Sequence, residues 1–221
     1  MIKRELALIL LAGIILGFSV TMVNNLENLW PSIIMMTSII LINILAKKIT
    51  AYNLGIKIET KLFEFRRQRA KAKFLRKNIL DKAVSPIEFL FGKSIQFGIF
   101  LPILIPLLSQ GYFIWLACLG FTSTAETHRA SRRWGLSKLI DVTEEHEAYI
   151  ATAGIIATLI LAIIGLLTGL NELGRFSAYY ALSNTLPILN LDGSKILFGN
   201  KFIWALTISL SIVVLIYSFS I

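Results

Sequence analysis

The chain has 221 residues, of which 56% are apolar and 16% charged, and its mean hydropathy is +0.73. That is too apolar for an ordinary water-soluble domain and points to an integral membrane protein with a single domain over residues 1–221. The formal charge of +9 reads as basic flanks facing an anionic leaflet of the lipid bilayer, not as a nucleic-acid footprint. The single cysteine, Cys118, excludes a disulfide framework and a thiolate metal site and reads as a packing residue.

In chain order, Lys3 and Arg4 precede the apolar run Leu6 to Val23. The run is long enough to span and is followed by no small-residue cleavage site, so it reads as a retained anchor rather than a signal peptide. A second span covers Leu29 to Ala46. Residues 47–86 read as a basic cytoplasmic loop: Lys47 to Lys82 holds twelve of the twenty-two Lys and Arg, against only Glu59, Glu64 and Asp81. By the positive-inside rule this places the N-terminus in the cytoplasm and the NNLEN turn outside. Within the loop, FEFRRQRAKAKFLRK places Phe63, Phe65, Phe74 and Leu75 among basic residues, which suits either a surface helix on anionic lipid or a solvated linker.

Ile87 to Leu108 has spanning length but holds Lys93 and Gln96 near its start and Pro102 and Pro106 near its end. Tyr112 to Thr124, rich in aromatic and branched residues, reads as a strand or a re-entrant piece. Arg129, Arg132, Arg133 and Lys138 then place the next stretch in the cytoplasm, so residues 87–124 return to the side from which they came or lie on the surface. Thr143 ahead of Glu144, Glu145, His146 and Glu147 forms a helix N-cap with acidic residues at the positive end of the dipole. The third span covers Ala148 to Leu170, with Gly154 admitting a close helix neighbour. The chain returns through Phe176 to Leu189 and ends in the span Lys201 to Ser220. The expected fold is mainly α: a polytopic membrane helical bundle of five to six segments with a short membrane-associated β element.

Asp192, in LPILNLDGSK, is the carboxylate that needs an explanation, because an ionisable group at membrane depth requires a partner. A zinc protease would supply two histidines one turn apart with a glutamate beside the first. The chain has only His128 and His146, and in HEAYI the position of a second histidine is held by Ile150.

The run YYALSNTLPILNLDGSKILFGN resembles the Asn-Leu-x-Pro…Leu-Asp-Gly segment of the site-2 proteases, intramembrane zinc metalloproteases. Asn184, Pro187, Asp192 and Gly193 match it, and Lys195 fits the archaeal branch. ITAYNLGIKIE, Ile49 to Glu59, is similar to the extended chain that follows the family's zinc helix. ATAGIIATLILAIIG, Ala151 to Gly165, is similar to the helix that usually opens with Ala-Gly-Pro and an Asn, with Ile155 and Thr158 in their places. The resemblance implies a prokaryotic, archaeal-type, multi-pass protein of the cell membrane, with Asp192 at the position of the third metal ligand. In this register the His-Glu-x-x-His window falls on NILAK: Asn43 and Lys47 replace the histidines and Ile44 replaces the glutamate.

One carboxylate does not hold a catalytic zinc, so no catalytic residue, metal or other cofactor is expected. Lys47 is expected to pair with Asp192 in place of the lost metal charge; otherwise Lys47 and Lys48 reach toward the headgroups as anchors. The leading expectation is a catalytically inactive scaffold or regulator that binds other membrane proteins or their transmembrane helices. The alternatives are an active zinc protease using His146, Glu147 and Asp192, and a small carrier or channel built on Lys93, Pro102 and Pro106.

Overall fold

The computed structural model describes residues 2–24, 29–62, 97–109, 114–125, 142–188 and 191–220. Among them are α1 (Ile2–Asn24), α2 (Leu29–Leu54), β1 (Ile56–Leu62), α3 (Phe97–Leu108), β2 (Leu119–Ala125), α4 (Glu144–Leu167), α5 (Asn171–Thr185), α6 (Asp192–Gly199) and α7 (Lys201–Ser220). The structure is mainly helical with one small sheet. Three helices, α2, α4 and α7, are long and apolar enough to cross a membrane, and α1 carries the apolar stretch Glu5–Thr21. Of the five to six segments expected, some fall on residues outside the described ones; among the described residues three helices meet the length requirement.

α2 does not stop at Ala46. Lysine is a good helix former, and the buried face of α2 continues through Asn43, Ile44, Lys47 and Ala51, so the helix runs two further turns beyond the apolar run. Ile49 to Leu54 is therefore helical, not extended, and only Ile56 to Leu62 forms the expected strand. Residues 47–62, read as the start of a loop, belong to α2 and β1. Residues 63–96, with the FEFRRQRAKAKFLRK segment and Lys93, lie outside the described residues, as do His128, Arg129, Arg132, Arg133 and Lys138.

α3 contains both Pro102 and Pro106, and its 12 described residues extend about 18 Å. Pro106 has no N–H for the carbonyl one turn back, that of Pro102. The Ser19 hydroxyl of α1 donates to that carbonyl at 2.5 Å and so ties α3 to α1.

Ile114 to Cys118 is buried outside any helix or strand, and the Leu116 N–H donates to the Ser183 hydroxyl of α5 at 3.3 Å. The segment leads into β2, which pairs antiparallel with β1 in the register Ile56↔Ala125 to Leu62↔Leu119. Tyr112 to Thr124 is thus in part a strand, as one of its two readings had it.

At the head of α4, the His146 N–H donates to Thr143 Oγ1 at 3.4 Å and the Thr143 N–H to His146 Nδ1 at 3.4 Å, a reciprocal capping box. α5 occupies Asn171–Thr185 rather than Phe176 to Leu189, and its buried face mixes Phe176, Ala178, Tyr180 and Ala181 with Ser177, Ser183, Asn184 and Thr185.

Two apolar clusters result. One joins α1, α2 and α5 to the segment before β2 through Leu16, Ile40, Leu116 and Tyr180. The other joins the sheet to α4 and α6 through Ile58, Phe121, Ile150 and Ile196. α2, α4, α6 and β2 meet between them.

Candidate functional site

Asn43 and Lys47 lie one turn apart on α2 and so share a face; both are buried. That face meets α4 at Gly154, where a Cβ would lie 2.5 Å from Lys47 Cε and 3.0 Å from Asn43 Nδ2. Only glycine leaves the lysine stem room to pass. Asp192 opens α6, in the first turn where the helix dipole favours a carboxylate. Its depth is set by Gly193, whose Cβ would strike the Thr185 carbonyl and come within 2.5 Å of Leu186 O. The first turn of α6 therefore rests directly on the backbone that leaves α5.

Lys47 Nζ donates to Asp192 Oδ2 as a buried ion pair, with side-chain exposures of 6% and 0%. The Phe121 ring of β2 lies 5.5 Å from the same ammonium, within cation–π range. Lys48, the next residue, behaves differently: its side chain is 40% exposed and it pairs with Glu5 at 2.7 Å.

A second pair adjoins the first. Lys195, one turn after Asp192 on α6, lies 3.3 Å from Glu147 Oε2, donates to the Phe121 carbonyl at 2.5 Å and sits 3.5 Å from the Phe121 ring centre. The Ser123 hydroxyl donates to Glu147 Oε1. Burial pulls the Lys195 ammonium below its ordinary pKa of 10.5, against the opposing pull of the Glu147 and Asp192 carboxylates. Two cations thus face two carboxylates, with one aromatic ring between the ammonium groups.

The other residues singled out from sequence divide. Ile44 is buried in the cluster shared with α1, among Leu16 and Ile40. Asn184 is buried and its Nδ2 donates to the Tyr180 carbonyl at 2.9 Å, whereas Pro187 is exposed. His146, Glu147 and Asp192 do not come together as a ligand set. The His146 ring serves its cap, Glu147 serves Ser123 and Lys195, and Asp192 serves Lys47. Among the described residues no three His, Cys, Asp or Glu side chains are grouped as a metal site.

A catalytic zinc does not fit these residues: Ile44 offers no ligand atom or base, Lys47 holds a cation against Asp192, and Asn43 is a poor substitute for imidazole. Phe121, Ser123 and the role of Lys195 escape sequence reading. The only signals for them are the alternation in LGFTSTA, which puts Phe121 and Ser123 on one face, and the one-turn spacing of Asp192 and Lys195. Comparison with protein-family models, with curated proteins and with solved structures finds no match for this chain.

Proposed function

We propose that this chain is a catalytically inactive, site-2-protease-like protein of the cell membrane that binds transmembrane segments of other membrane proteins as a scaffold or regulator. The observation that carries the reading is the Lys47–Asp192 pair: an ammonium neutralises the carboxylate at the position where the family resemblance expects a metal ligand. With Ile44 in the place of the general base, no residue there activates a water. In this reading the chain crosses the membrane several times with its N-terminus in the cytoplasm. The Glu5–Lys48 contact at 2.7 Å supports that orientation, because it sets the start of α1 level with the basic end of α2. The archaeal-type origin rests on the Asp-Gly-x-Lys pattern alone.

Reconstruction of the motif tests the site. The purified wild-type protein is expected to carry no stoichiometric zinc, and the variant N43H/I44E/K47H to take up about one zinc per chain by completing a three-ligand set with Asp192. Wild-type protein that retains one zinc per chain and loses it on Asp192→Ala would overturn the reading. Recovery of the same transmembrane partner from native membranes by wild type and by Asp192→Asn would separate binding from any residual chemistry. Cleavage of that partner by the wild type would refute inactivity.

A further inference from the structure

Facing residues in an antiparallel ladder alternate between pairs that bond to each other and pairs whose N–H and C=O point away from the partner strand. Thr60 and Phe121 are register partners, and both use their backbone groups elsewhere. The Thr60 N–H donates to Glu5 Oε1 at 3.4 Å, and the Phe121 C=O accepts from Lys195 Nζ at 2.5 Å. They are an outward-facing pair, and by alternation Ile58 and Ser123 are the next one.

Among the described residues the sheet has two strands, so neither has a third strand on its outer edge, and an unpaired edge is a template for pairing with another chain. Here each edge meets a charged side chain delivered by a helix. Glu5 of α1 reaches the β1 edge and is held by Lys48 at 2.7 Å. Lys195 of α6 reaches the β2 edge and is held by Glu147 of α4 at 3.3 Å. Glu147 also takes the hydroxyl of Ser123, the neighbouring outward-facing residue of β2.

We infer that the Lys195–Glu147 pair is an edge lock, closing the outer edge of β2 at Phe121 and Ser123 against strand addition by the β2 edge of a second copy of this chain. An ammonium suits the task because it has three donors and no acceptor: it satisfies an outward carbonyl and offers nothing on which a ladder can continue. Contact with the Phe121 ring holds it over the strand. The lock does not depend on whether the Lys47–Asp192 site descends from a metal centre.

The exposed residue Thr122 of β2 provides the reporter, since two β2 strands paired edge to edge in antiparallel fashion bring their midpoints together. Full-length T122C, K195M/T122C, E147Q/T122C and K195R/T122C are purified in detergent and treated with a mild oxidant. Before oxidation, folding is verified by a thiol-dye uptake of one per chain, the introduced cysteine reacting and buried Cys118 staying silent until the protein is denatured. Disulfide-linked dimer is expected to rise several-fold in K195M/T122C and E147Q/T122C over T122C alone, and to stay at the T122C level in K195R/T122C, which keeps a donor over Phe121. A folded K195M/T122C that cross-links no more than T122C overturns the lock. Where K195M does not fold, E147Q/T122C decides by the same comparison. A rise in K195R/T122C equal to that in K195M/T122C also overturns it.

Discussion

Removing Asp192 tests the central pair most directly. In Asp192→Ala the Lys47 ammonium, on a side chain only 6% exposed, loses its counter-charge without gaining water. Breaking a buried pair from one side costs about 3–5 kcal/mol. For a chain of this size each kcal/mol moves the apparent Tm by roughly 2–4 °C, so a fall of roughly 6–20 °C is expected. In the Asp192→Ala background, Lys47→Met removes a stranded charge, and the double variant should recover much of the loss, because replacing both members of a buried pair by apolar groups is often close to neutral. Lys48→Met is the internal control: that lysine is 40% exposed in its pair with Glu5, and its loss should cost about 1 kcal/mol or less.

The assay is built into the chain. Cys118 is the only cysteine; it is fully buried, and burial pushes its thiol up to about 12. It is silent toward a maleimide dye until the protein unfolds, so dye uptake on heating reports the transition. Effects of the Asp192 and Lys47 changes that add to within about 0.5 kcal/mol would refute the pairing. So would a Lys48→Met loss as large as that of Asp192→Ala.

Two further outcomes follow from neighbouring contacts. Gly193→Ala should abolish folding or lower the apparent Tm by more than any single surface substitution, since its Cβ would meet rigid backbone, the Thr185 and Leu186 carbonyls; expression and the Cys118 melt are the readouts, and a near-wild-type melt would show that α6 does not rest on that backbone. For Lys195 the direction with pH is set by burial, which lowers its folded pKa below 10.5. As pH rises from that lowered value toward 10.5, the folded state has released a proton that the unfolded chain still holds, so this group's contribution to stability increases. The apparent Tm of wild type minus that of K195M should therefore increase over that alkaline window, and a steady decrease would reverse the assignment.

The membrane character and the main helices were legible because they depend on apolar runs and on one cap. Thr143 caps α4 as its sequence position announces, and the structure adds the reciprocal bond from His146. The end of α2 was not legible from hydropathy, which sees Lys47 and Lys48 as charges, whereas the helix sees two good formers on a face that continues to Ala51. α5 was misplaced for the converse reason: its opening residues include Glu172 and Arg175, and its buried face mixes Ser177, Asn184 and Thr185 with Phe176 and Tyr180, so no apolar run marks its start. Of the site, Asp192 and Lys47 came from a pattern match, and both lie where two helices meet at Gly154 and Gly193. Phe121, Ser123 and Glu147 join Lys195 only through tertiary contacts, Lys195 reaching Phe121 across 74 positions, and no local period encodes such a distance.

A buried ion pair is weak evidence of stability, since two well-packed apolar side chains would serve as well. What Lys47 and Asp192 supply that such a pair would not is registry. An apolar contact tolerates a slide of α6 along α2, but an ammonium and a carboxylate oxygen that are both excluded from water can meet at only one offset. Gly154 and Gly193 permit that offset, each by leaving out a Cβ that would collide with Lys47 or with the Thr185 carbonyl. Lys195 then fixes the same short helix to β2 through the Phe121 carbonyl at 2.5 Å, so a slip of α6 would break both pairs at once. On this view the double variant Lys47→Met/Asp192→Ala regains its Tm without regaining its uniqueness, and Cys118 takes up dye gradually at temperatures below the transition. A melt as sharp as that of the wild type would instead assign the offset to Gly154 and Gly193 alone.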